Sequence, residues 1–201
     1  MTFNPLKHLR LVLIMLFLAG CATQMPPEKS ADVTAVPTQL TPAEAKSYRD
    51  ALRSVESGDA RKAINSLKKL SQAHSGQAGI WLNLAIAYYH GGDLDEAETA
   101  LARAQGLNSR IPEAHNLAGL IAVDRGDYPA AEKHYQTALK LNKNFADAFY
   151  NLALLYDIFH QDVKRAIDAY QGYLKLLDQE DKTTAAWVEE LKLTLKRRGE
   201  G

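Results

Sequence analysis

Six histidines, one cysteine and 24 carboxylates are the side chains in this sequence whose chemistry could reach beyond packing. Imidazoles hold a metal or pass protons when their spacing lets two converge on one point, usually with a Cys or carboxylate ligand beside them. His8, His74, His90, His115, His134 and His160 show no such spacing, so neither a metal nor a cofactor is expected. Nor is there a nucleophile elbow, a glycine loop that cradles phosphate or a paired-carboxylate motif, and the chain reads as no enzyme. A lone thiol, Cys21, excludes an intrachain disulfide framework and leaves stability to packing. The 24 Lys and Arg offset the 24 Asp and Glu, which provides no electrostatic footprint for nucleic acid.

The surroundings of Cys21 give that thiol a role. Lys7 and Arg10 precede an unbroken apolar run from Leu11 to Ala19, which leads into Leu18-Ala19-Gly20-Cys21. A basic start, a short apolar core and small residues before a cut site make a secretory signal over residues 1–20, too short for the roughly 20 apolar residues of an obvious membrane span. The string "LAGC" resembles the lipobox of bacterial lipoproteins, and the resemblance implies that Cys21 is lipidated and becomes the N-terminus after cleavage. More than one acyl chain, at about 0.8 kcal/mol per buried methylene, makes a stable anchor. Ala22 stands where Asp would imply retention in the inner membrane, so the resemblance implies the outer membrane, facing the periplasm. Residues 21–41, with Pro26, Pro27 and Pro37 and little apolar periodicity, read as a flexible tether.

Beyond the tether, the elements announce themselves by repetition. Gly58-Asp59, Gly92-Asp93 and Gly126-Asp127 lie 34 residues apart, and the same interval joins Ala63, Ala97 and Ala131, and again Ala51, Ala85, Gly119 and Ala153. A fixed period of this size marks a solenoid of stacked helical hairpins. In the second unit Trp81, Leu84, Ala85 and Tyr88 share one helix face. Gly92 can then take the left-handed conformation that ends the helix, and Asp93 can cap the next one, with Glu96 completing a capping box. Ala85 and Ala97 are small enough for close approach of the two helices. The first unit, with Ser47, Asp50 and Ser54 at positions apolar in later copies, is expected to turn Tyr48, Leu52 and Val55 inward. In the fourth, the missing glycine and the extra residue in "FHQDVKR" predict an altered turn, capped by Asp162.

Together with "HNLAGL", "RGDYPAAEKHYQTALKLN" and "FYNLALLY", the pattern resembles the tetratricopeptide repeat. The resemblance implies an all-α, right-handed α-solenoid of about four hairpins, at 44–77, 78–111, 112–145 and 146–180. Over residues 181–201, Trp187, Leu191 and Leu195 predict an amphipathic helix covering the open end of the stack. It also implies a concave groove lined by first helices, which maps onto Tyr48, Leu82, Ile86, Tyr89, Asn116, Leu120, Val123, Tyr150 and Leu154. Apolar side chains with tyrosine and asparagine among them suit a protein or peptide partner. Where relatives hold a terminal carboxylate with basic residues, this chain has Tyr48, Leu52, Asn83, Glu113 and Leu117, so such a clamp is not expected. The function implied is a membrane-anchored, non-catalytic binding scaffold, resembling lipoproteins that assist type IV or Tad pilus assembly. The alternative is an adaptor for periplasmic peptidoglycan hydrolases or proteases.

Overall fold

The computed structural model describes residues 36–37 and 39–199. The signal over 1–20, the lipid anchor at Cys21 and most of the tether therefore lie outside the described residues. Nine α-helices and no strand occur among those described. They are α1 (Pro42–Glu56), α2 (Ala60–Ala73), α3 (Ala78–His90), α4 (Leu94–Leu107), α5 (Pro112–Asp124), α6 (Tyr128–Leu141), α7 (Ala146–Leu154), α8 (Val163–Leu174) and α9 (Lys182–Arg198). A π-helical segment, Leu155–His160, continues α7. Each helix packs on the next, so α1/α2, α3/α4, α5/α6 and α7/α8 form four stacked hairpins with α9 against α8.

The hinges follow from backbone sterics. Gly58, Gly92 and Gly126 sit at φ +79°, +79° and +78°, a region that a Cβ disfavours. Asp59, Asp93, Asp127 and Asp162 then accept from the backbone N–H groups of Lys62, Glu96, Ala130 and Arg165, each satisfying one orphan donor of the following helix. The box expected at Asp93 is only half formed, because the Asp93 N–H donates to the Tyr88 carbonyl at 3.0 Å and has no need of the Glu96 carboxylate. The complete capping box opens the stack instead, between Thr41 and Glu44.

The fourth turn differs where the sequence gains a residue. In the first three hairpins the capping Asp N–H reaches back five residues, to Ser54, Tyr88 and Ala122, but Asp162 reaches back six, to Tyr156. The π-helical turn takes up the insertion, and Gln161 replaces the glycine at φ 53°.

Packing within a hairpin turns on small residues facing large ones. Ala85 and Ala97 are both fully buried. At the register of Ala85 the third unit has Gly119, and a Cβ built there would lie 2.3 Å from Tyr135 Cε1, so the phenol ring fills that space. In α1 the inward residues are Tyr48, Ala51 and Ser54, while Leu52 and Val55 are half-buried. Ser54 is thus more inward than its polarity suggests; its hydroxyl donates to the Asp50 carbonyl at 2.9 Å, which removes the cost of burial. From α9, Val188 and Leu191 are buried against the last hairpin, and the Trp187 ring stacks on Tyr170 at 5.7 Å.

Candidate binding face

The first helices of successive hairpins touch, α1 to α3, α3 to α5 and α5 to α7, whereas among the described residues the backbones of the second helices stand further apart, α6 and α8 being linked through the Arg165–Glu132 ion pair at 3.0 Å. A row of helices crowded on one side and splayed on the other is curved, with α1, α3, α5 and α7 on the inner side. Polar bonds cross each of these junctions. Asn83 Nδ2 donates to Tyr48 Oη at 2.6 Å, Asn151 Nδ2 donates to Asn116 Oδ1 at 3.0 Å, and Tyr89 hydrogen-bonds Asp124.

The residues expected on this face divide into two sets. Tyr48 and Leu82 have no exposed surface and pack in the core between hairpins; they are corrected from groove to packing residues. Asn116, 9% exposed, spends its carbonyl on Asn151 and is buried too. Ile86, Tyr89, Leu120, Val123, Tyr150 and Leu154 are half-buried. The physical reason is curvature: the column of Tyr48, Leu82, Asn116 and Tyr150 falls where adjacent first helices press together, and only its last member escapes full burial. Tyr150 leans on Tyr173 of α8, with ring centroids 5.0 Å apart. What stays open to a partner is a stripe one helical turn further on, Leu52, Ile86, Leu120 and Leu154, with Tyr89 and Val123 beside it. Leu52 belongs to this stripe, and Asn83 to the junctions.

Burial pushes Tyr48 up to about 12, the Asn83 bond opposing it weakly. Burial and then the Asp124 charge push Tyr89 higher still. Both phenols therefore stay neutral donors, and Asp124 is exposed at the C-terminal end of α5.

Two imidazoles do come together, against the expectation from spacing. His115 of α5 and His134 of α6 face each other across one hairpin with centroids 6.0 Å apart. His115 Nε2 bonds the Ser109 carbonyl at 3.0 Å, and burial followed by the proximity of His115 lowers the His134 pKa. No third ligand joins them: among the described residues no group of three or more His, Cys, Asp or Glu could hold a metal. Among those residues, too, no helix is long and apolar enough to cross a membrane.

The tetratricopeptide repeat matches residues 54–121, and a second description of the same repeat matches 119–157. The chain belongs to the tetratricopeptide-repeat family. Repeats of this family act as protein-interaction scaffolds. The human Superkiller complex protein 3 is 29% identical over 104 residues, which are 52% of this chain and 7% of that protein, so the chain spans a small part of its relative. The crystal structure of MamA is 24% identical and superposes with a TM-score of 0.61, over 78% of this chain and 83% of that one. The first tetratricopeptide domain of Spaghetti (RPAP3), bound to the HSP90 peptide SRMEEVD, is 16% identical with a TM-score of 0.54, covering 60% of this chain and 96% of that one. At these identities the structural likeness is one of fold.

Proposed function

We propose that this tetratricopeptide-repeat chain is a non-catalytic scaffold, tethered to the outer membrane through lipid on Cys21 and facing the periplasm, whose inner face captures a protein segment during type IV or Tad pilus assembly. The observation that carries the binding reading is the uninterrupted half-buried stripe Leu52, Ile86, Leu120 and Leu154 along the inner side of four helices. Apolar area of that kind gains free energy when covered, at about 25 cal/mol per Å² before association costs. The HSP90 peptide bound to the RPAP3 domain, which shares this fold, supports a peptide ligand. The anchor rests on "LAGC" and the apolar run before it.

Two substitutions test the two halves. Cys21→Ser should release the protein from membranes or leave it unprocessed; retention in the membrane as a mature species would refute the lipid anchor. Replacing Tyr89 and Leu120 by charged residues should abolish partner recovery from detergent extracts while helical content is kept. Recovery of a secretin or pilin with the wild-type chain supports the assembly role, and recovery of a peptidoglycan hydrolase or protease in its place overturns it for the adaptor reading.

A further inference from the structure

The charges around the stripe identify the chemistry of its occupant. On each first helix the inner face comprises the positions in register with Ala45, Tyr48, Arg49, Leu52, Val55 and Glu56, the positions to which the inter-helix bonds Tyr48–Asn83, Tyr89–Asp124 and Asn116–Asn151 attach. Followed at the 34-residue interval as far as Leu154, this face carries Glu56, Glu113, Asp124 and Asp147 against one cation, Arg49. The chain as a whole is balanced at 24 against 24, so the acidity belongs to the face and not to the composition. Of the other cations on the first helices, Lys46 and Arg53 of α1 pair with Asp50, and most of the rest stand on the second helices, among them Arg61, Lys68 and Lys69 of α2 and Lys133 and Lys140 of α6.

The geometry orders these charges. Glu113 and Asp147 stand in the first turns of α5 and α7, while Glu56 and Asp124 end α1 and α5. Glu113 is buried at 7% exposure, so the apolar stripe runs beside an acidic margin of Glu56 and Asp124, where the helix C-termini add partial negative charge, with Asp147 across from it. Four helices at roughly 8–10 Å between axes make the stripe roughly 30 Å long. That matches about nine residues of extended chain or about 20 of helix.

We infer that the groove takes a cationic amphipathic segment of a partner protein, with aliphatic side chains along the stripe of Leu52, Ile86, Leu120 and Leu154 and Lys or Arg on both flanks. The inference rests on the binding reading above and adds the sign of the ligand. An acidic tail would meet Glu56 and Asp124 on one side and Asp147 on the other, an arrangement that repels it. Basic flanks would be steered in and held in register, and contact with half-exposed carboxylates makes the attraction dependent on salt.

The test uses the full-length chain in a neutral detergent, with empty micelles subtracted, and three labelled peptides of about 20 residues. One has Leu at helical spacing and Lys elsewhere, a second has Glu for Lys, and a third has Ser for Leu. Fluorescence anisotropy should show the Lys/Leu peptide bound at least about tenfold more tightly than the other two, a difference of about 1.4 kcal/mol. Raising salt from about 0.1 M to about 1 M, which cuts the Debye length from about 10 Å to about 3 Å, should weaken it severalfold. Glu56→Gln combined with Asp124→Asn should do the same at low salt with an unchanged helical spectrum. Equal affinity for the Lys and Glu peptides, no binding of either, or indifference to salt and to the double substitution overturns the charge inference and leaves the groove reading standing. If the Lys/Leu peptide binds with the expected salt dependence yet ignores Leu120→Ser and Leu154→Ser, the stripe is not the seat and the groove reading falls.

Discussion

Gly119→Ala is the smallest change that interrogates how these hairpins are packed. Alone in a helix, alanine is better than glycine by about 0.5–1 kcal/mol, so propensity predicts stabilisation. Packing predicts the reverse. The new methyl would lie 2.3 Å from Cε1 and 2.6 Å from Cδ1 of Tyr135, whose side chain is 1% exposed and has no room to swing away. Forcing a methylene-sized group into a filled core costs about 1–3 kcal/mol. The two effects leave a net loss of about 1–2 kcal/mol, or about 3–6 °C in Tm for a chain of this size. Circular dichroism during heating and in a urea titration would measure it.

The repeat supplies the control for this experiment. At the same register the second unit pairs Ala85 with Leu101, and both are buried without a clash. Gly119→Ala joined with Tyr135→Leu rebuilds that pairing in the third unit. The double substitution should cost less than the sum of the two single ones by about 1–2 kcal/mol, the range of coupling between residues in contact. A Tm that rises on Gly119→Ala alone would refute the reasoning, because it would show propensity winning and Tyr135 yielding freely.

Three further outcomes are expected. Gln161→Gly should raise the urea midpoint, by up to about 1 kcal/mol in stability, because φ 53° strains a residue that carries a Cβ; a clear loss would mean that the Gln161 side chain holds the turn. Asn83→Ala should cost about 0.5–1.5 kcal/mol in the same assay by removing the 2.6 Å hydrogen bond to the buried Tyr48 hydroxyl, whereas Tyr48→Phe with Asn83→Leu should cost less; equal losses would refute the hydrogen-bond account. His134 has its folded pKa lowered by burial and by His115, so the unfolded chain binds more protons near its ordinary value of about 6.5. Stability is then fully present above that pH and declines as pH falls through it toward the folded value. Tm should drop between about pH 7.5 and about pH 5.5, and His134→Gln should flatten that window.

What the sequence made legible and what it hid have different physical origins. Gly58, Gly92 and Gly126, and the Asp that follows each, act within a few residues of chain, so their roles can be read locally and the structure shows each at positive φ with its cap formed. The altered fourth turn was legible as an extra residue, but its form, a π-helical turn ending at Gln161, depends on how α7 and α8 must still meet. Tyr48 and Leu82 were misread as groove because helical periodicity locates a face and not the depth of the neighbour pressed against it. The His115–His134 pair was missed because the two rings lie on different helices, and spacing arguments follow one helix at a time.

The junctions between hairpins carry information that no single unit contains. Where Tyr48 meets Asn83 and Asn116 meets Asn151 the contact is polar, while the corresponding residues between the second and third units are Leu82 and Leu117, both buried. Outer contacts follow the same interval: Glu98 holds Arg125 at 3.2 Å, Glu132 lies 3.5 Å from His160, and in the first unit that place is taken by Ile64 against Gly91. At this one register polar, apolar and polar contacts alternate, and exchanging them would bury an amide against leucine, an error that costs about 1–3 kcal/mol for each unsatisfied group. Near-identical hairpins could otherwise slip by a whole repeat, and this alternation makes every such slip unfavourable. The order of the stack, and with it the order of side chains along the inner stripe, is thereby set by a few buried polar atoms.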